Sequence, residues 1–209
     1  VQKPAVSASG LAGIVAEFVL SPRATNILGD AVFQWTVVMS LMLFARGLGS
    51  RLSKLISTRL IETFIVVEFI LSLLCAASST IAYGLSAHSS YIGVIIYANA
   101  LAIGLLIGLE IPLVTRLNES YEDLRTNIAT VMEKDYYGAL LGGLFFAFFA
   151  LPRLGLTYTP IALGSVNFLV ALLVLVHFRR FVHHRTLSLW GAGVTAALLL
   201  GLALFAQPI

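Results

Sequence analysis

Charge is what this 209-residue chain most lacks: Asp, Glu, Lys and Arg together make up 11% of it, against about 25% in soluble domains. With 59% hydrophobic residues and a mean hydropathy of +0.96, that shortage excludes an ordinary soluble domain. The chain reads instead as an all-α polytopic membrane protein. It has one cysteine, Cys75, which excludes an internal disulfide. No lysine falls in the last apolar run and no histidine in any run, which excludes a retinal-type Schiff base and bis-histidine haem ligation. No Ser-His-Asp or Cys-His arrangement, glycine-rich nucleotide loop or zinc-spacing motif is visible. The residues therefore indicate no catalytic set, cofactor or metal site. The formal net charge of +3 does not point to nucleic acid, because the basic residues lie between apolar runs, where they set topology.

What is present is a series of apolar runs, each near the ~20 residues a helix needs to cross a hydrocarbon core. About seven are predicted, roughly at 5–21, 31–49, 61–83, 91–114, 137–151, 160–176 and 187–206. Pro22-Arg23 is expected to stop the first, Pro152-Arg153 the fifth, and Pro160 to sit in the first turn of the sixth. Arg46, Arg51, Lys54 and Arg59 flank the second connection; Arg116, Arg125 and Lys134 mark the fourth; Arg179, Arg180 and Arg185 mark the sixth. The positive-inside rule puts these three connections and the N-terminus in the cytoplasm. Seven crossings would then leave Ile209 outside. The single membrane domain, 1–209, also carries the segment 115–135, whose Leu117, Tyr121, Leu124, Ile128 and Val131 recur at helical spacing. That pattern predicts an amphipathic helix on the membrane surface or under a partner.

The stretch Leu101–Leu117, LAIGLLIGLEIPLVTRL, organises the rest. Gly104 and Gly108 are four apart, as are Gly138 and Gly142, a spacing that lets a second helix approach closely. The expected pairing is between these two glycine faces. Glu110 falls inside the hydrophobic run, just before Pro112, and an intramembrane carboxylate is by default a functional hypothesis. Glu68 lies at a similar depth, roughly 6–9 Å from the cytoplasmic edge of the core at 1.5 Å per residue, and Arg46 is level with both. Glu17 lies in the first run, within reach of Gln34 and Asp30. Two readings stay open: staples between helices, or a site for a cation, a proton or a polyamine. His177, His183 and His184 with Arg179, Arg180 and Arg185 form a basic cluster that fits lipid headgroups better than a metal.

Several segments resemble, in order and with similar spacing, the membrane-embedded N-terminal region of bacterial integral-membrane spermidine synthases, the polyamine aminopropyltransferases. They are GLAGIVAEFVLS (Gly10–Ser21), LGDAVFQWTVVMSLMLF (Leu28–Phe44), GLGSRLS (Gly47–Ser53), VEFILS (Val67–Ser72), GLEIPLVTRL (Gly108–Leu117) and DYYGALLGGLFFAFFALPRLGLTYT (Asp135–Thr159). Glu17, Asp30, Glu68, Glu110 and Asp135 fall at matching places. Arg46 departs from the pattern, where an apolar residue precedes GLGS. The resemblance implies a bacterial inner-membrane domain that accompanies a soluble Rossmann-like domain. That second domain transfers an aminopropyl group from decarboxylated S-adenosylmethionine to putrescine, and its cofactor loop is not in this sequence. The chain is then expected to be a membrane piece of a larger protein that anchors it and binds or conducts polyamines through Glu110, Glu68, Glu17 and Asp135. Its expected partners are the lipid bilayer, a polyamine or other cation, a second copy or a catalytic domain. Alternatives are a small cation or polyamine transporter, or a structural subunit of a membrane complex. A looser resemblance links the first six runs to one half of a major facilitator transporter, through GLGSRLSKL at Gly47–Leu55 and the turn at Pro152–Gly155.

Overall fold

The computed structural model describes residues 2–86, 91–118, 123–179 and 185–205, and among these there is no strand. The order is α1 (Gln2–Leu28), α2 (Ala31–Leu52), a 3-10 turn (Ser53–Leu55), α3 (Leu60–Ser86), α4 (Ile92–Asn118), α5 (Leu124–Phe145), a π-helical segment (Phe146–Leu154), α6 (Gly155–His177) and α7 (Arg185–Phe205). Five stretches are long and apolar enough to cross a membrane: Val6–Leu28, Ala31–Leu55, Leu60–Ala82, Ile92–Asn118 and Leu124–His177. The last apolar helix, Ser188–Leu204, is shorter.

The fifth stretch, 54 residues long, holds two of the expected runs, and they lie in opposite directions. Ser7, Leu11 and Phe18 of α1 meet Gly138, Gly142 and Phe146 in that order, so α1 and α5 are parallel. Phe69, Ser72 and Ser79 of α3 meet Phe168, Gly164 and Leu156, so α3 and α6 are antiparallel. The chain folds back at Gly155, whose φ of +62° suits glycine. Beyond the fold, Thr159 Oγ1 reaches back to the carbonyl of Ala150 at 3.3 Å.

Several boundaries move, each for a packing reason. α1 does not stop at Pro22-Arg23 but runs on to Leu28. Neighbouring helices can compensate a proline inside a buried membrane helix, and α1 packs against α2, α4, α5 and α6. Leu20 and Ala24 stay buried on either side of the proline. Gly29 (φ +78°) and Asp30 (φ +45°) then turn the corner, and Asp30 caps α2 by accepting from the Phe33 N–H at 3.1 Å. α4 likewise continues through Pro112 to Asn118. Pro160 lies in the second turn of α6, not the first.

The separate amphipathic helix expected at 115–135 does not form. Residues 115–118 end α4, 124–135 are the first turns of α5, and Tyr121 lies outside the described residues. Only part of the apolar face meets protein: Val131 packs in one cluster with Val6, Phe64 and Leu113, while Leu124 and Ile128 are exposed. Asn127, buried, donates to the Thr115 carbonyl at 2.7 Å and accepts from Asn118 at 3.2 Å, tying the two helix ends together.

The two glycine pairs also choose other partners than each other. A Cβ at Gly104 would lie 2.8 Å from the Met42 carbonyl, and one at Gly108 would run into the Arg46 backbone, so this face serves α2. Gly138 and Gly142 seat α1 through Ser7 and Leu11. Four-residue small spacing announces a close neighbour without saying which.

Candidate functional site

Five helices bring charged groups into one region of the bundle interior. Glu110 on α4 and Glu68 on α3 are each 1% exposed. The charged groups whose fields reach Glu110 are Glu68, Asp135 of α5 and Arg46 of α2. Arg46 also acts on Glu17 of α1 and on Asp135. Arg46 Nη2 lies 2.6 Å from Glu17 Oε1, yet neither atom has an aligned hydrogen bond, so the pair is held by charge and proximity.

The local sequence explains why these groups can meet. Gly10 sits against Asp135, Gly13 against the Arg46 guanidinium and Gly108 against the Arg46 backbone. Each missing Cβ leaves room for a charged residue on a neighbouring helix. Ser9, one turn before Gly13, donates its hydroxyl to Glu110 Oε2. Both oxygens of Glu68 and Oε1 of Glu110 are buried without a hydrogen-bond partner. So is Oδ1 of Asn167 on α6, whose amide nitrogen lies 4.0 Å from Cys75 Sγ. Cys75 in turn lies within the fields of Glu68 and Glu110.

Three carboxyl groups, Glu17, Glu110 and Asp135, thus lie within the field of one guanidinium, and Glu68 lies within that of Glu110. Uncompensated buried charge is strongly disfavoured, so such a set must be neutralised, by protons or by another cation. Among the described residues no three His, Cys, Asp or Glu side chains are gathered tightly enough to hold a metal ion. The carboxylates form a dispersed acidic lining rather than a coordination sphere.

The sequence-based placement of these residues needs two corrections. Glu17 does not turn to Asp30 and Gln34: Asp30 caps α2, and Gln34 accepts from the Tyr97 hydroxyl at 2.6 Å. Its partner is Arg46, because the antiparallel packing of α1 on α2 brings Glu17 beside the far end of α2. Arg46 was expected beside Glu68 and Glu110, and its direct ion pair is with Glu17 instead. Of the basic cluster, His177 is exposed against the Phe178 ring; His183, His184 and Arg180 lie outside the described residues, as does the Arg185 side chain.

One buried group escaped sequence reasoning altogether. Arg23, assigned to a loop, has 0% exposure. It donates to the Ser79 carbonyl at 3.4 Å and to the Leu156 carbonyl, and Ser79 Oγ donates to the same Leu156 oxygen at 2.9 Å. Pro160 explains why that oxygen is available: without an N–H it cannot make the helical bond to the carbonyl four residues earlier. The missed signal was the helical recurrence of Leu20, Ala24, Ile27 and Leu28 across the proline.

Comparison with known proteins bears on what this arrangement belongs to. A polyamine aminopropyltransferase of Aquifex aeolicus is 45% identical over 167 residues, 79% of this chain and 34% of that protein. One from Oceanobacillus iheyensis is 34% identical over 202 residues, 95% of this chain and 40% of that protein. By sequence, the chain belongs to the polyamine aminopropyltransferase family. A third member, from Streptomyces coelicolor, is 37% identical over 200 residues, 90% of this chain and 36% of that protein. The chain thus spans 34–40% of the length of these curated relatives. No protein-family model matches it. No solved structure matches it either, so the likeness to half of a facilitator transporter finds no support.

Proposed function

We propose that this chain is the membrane-embedded part of a polyamine aminopropyltransferase-type protein, and that its interior acidic lining binds a cation carrying ammonium groups. The observation that carries this reading is the gathering of Glu17, Glu110 and Asp135 about one arginine, with Glu68 beside Glu110 and three of the Glu68 and Glu110 oxygens left unpartnered. An aliphatic polyamine suits a dispersed set, because its charges are spaced along a flexible chain. The family name supports the substrate class. The six alternating helices α1 to α6, with α7 packed on α3 and α6, would cross the bacterial inner membrane with the N-terminus in the cytoplasm. The aminopropyl-transfer chemistry would belong to a soluble domain that this membrane part anchors.

Spermidine binding to the chain reconstituted in lipid nanodiscs tests the site. Glu110→Gln and Glu68→Gln should each weaken binding by on the order of tenfold, the loss of one favourable charge contact of about 1.4 kcal/mol. Unchanged affinity in both variants, or none in the parent, would remove the acidic lining from the function.

A second reading, conduction, draws on the buried polar residues that continue past the lining. Ser72, Ser78 and Ser79 on α3, Asn167 and Thr159 on α6 and Arg23 on α1 are all buried. Liposome flux of putrescine or spermidine separates the readings: a binding anchor gives none.

A further inference from the structure

Arg46 is the one cation the described acidic lining contains, and three features set it apart from a permanent staple. First, its side chain is 29% exposed while that of its partner Glu17 is 7% exposed. A long side chain of this kind can carry its charge out toward the headgroups without moving its backbone. Second, Nε and Nη2 make no aligned hydrogen bond, so the guanidinium leaves by giving up charge contacts alone, the direct one with Glu17 and the longer ones with Glu110 and Asp135. Third, its berth is built. Nη2 lies 3.0 Å from where a Gly13 Cβ would stand, and the Arg46 backbone sits on Gly108. The space beside Glu17 exists because two other helices give up side chains for it.

We infer that Arg46 is a tethered competitor for the cation site: its guanidinium occupies the place of an incoming ammonium group and must leave Glu17 before one binds. This rests on the reading of the lining as a cation site. Free acceptors that Arg46 does not satisfy point to the incoming group. Glu68 offers two, Glu110 one and the amide of Asn167 one, each from a side chain no more than 1% exposed. A polyamine that displaced the arginine would set one ammonium group against Glu17 and offer another to these acceptors. Glu17 would never face the interior without a cation: the arginine fills its side of the site when the ligand is absent.

Calorimetric titration of spermidine into the 209-residue chain in nanodiscs decides the matter. Arg46→Gln removes the competitor and should tighten binding about tenfold, the effect of one lost charge contact. Arg46→Lys keeps the charge and should bind like the parent. Since Arg46→Gln strands Glu17, the pair Glu17→Gln with Arg46→Gln is measured beside it and should still bind more tightly than Glu17→Gln alone. Binding unchanged or weakened on losing Arg46, in a parent whose binding depends on Glu110, would overturn the competitor role and leave the cation site standing. Absence of binding in the parent and in every variant would instead overturn the cation site, and the competitor with it.

Discussion

Two arginines, one buried and one half-buried, do opposite things in this bundle. Arg23 is wholly enclosed and donates to backbone carbonyls, one of them set free by a proline. Arg46 keeps part of its side chain at the surface and faces acids. A guanidinium held by the carbonyls of two other helices fixes their register, because those carbonyls cannot move without losing a charge-assisted bond. A guanidinium facing flexible carboxylates fixes little and can be replaced by another cation. The difference lies in what each arginine is paired with, and it separates a structural end of the bundle from an adaptable one.

The largest effect expected from this contrast is on stability at Arg23. Arg23→Met removes two hydrogen bonds from a charged donor and should cost about 3 kcal/mol, read as a lower unfolding midpoint in detergent. Arg46→Met should cost about half of that or less; equal losses would abolish the distinction between the two arginines. Gly108→Ala comes next. Its new methyl would collide with the Arg46 backbone, and overpacking should cost about 2 kcal/mol. Gly47→Ala, five residues from the α2–α4 contact at Met42–Gly104 but with open space around it, should change stability by no more than about 1 kcal/mol, in the stabilising direction. Unfolding midpoints of the two alanine variants measured side by side test whether close approach, rather than helix propensity, governs that contact. The smallest effect is expected at Asn127→Ala, about 1 kcal/mol. It should appear as faster amide hydrogen exchange in the first turns of α5, with the acidic lining left intact.

The class of the molecule and the positions of its helices were legible because hydrophobicity and helix length are properties of single segments. Glu17, Glu68, Glu110 and Asp135 could be singled out for the same reason, as acids in places where acids are costly. Partnership could not be read this way. Gly104 and Gly108 signalled close approach, but the choice of α2 over α5 depends on the packing of the whole bundle. The period of 115–135 picked out Val131, which protein covers, together with Leu124 and Ile128, which stay exposed: periodicity marks a face without saying how much of it a neighbour reaches. Pro22 and Pro160 read as boundaries because a proline removes a helical hydrogen bond; Arg23, brought in from a third helix, supplies the Leu156 carbonyl with a substitute that no local pattern displays.

The tie at the α4–α5 corner has a mechanical consequence. Asn127 and Asp135 belong to the same unbroken helix, eight residues or about 12 Å apart at 1.5 Å per residue. A helix is stiff along its axis, so a pull or tilt applied near Asn127 arrives at Asp135 with little slack. The corner where Asn118, Thr115 and Asn127 meet is therefore a handle on the acidic lining: a load borne there moves one wall of it against the other four.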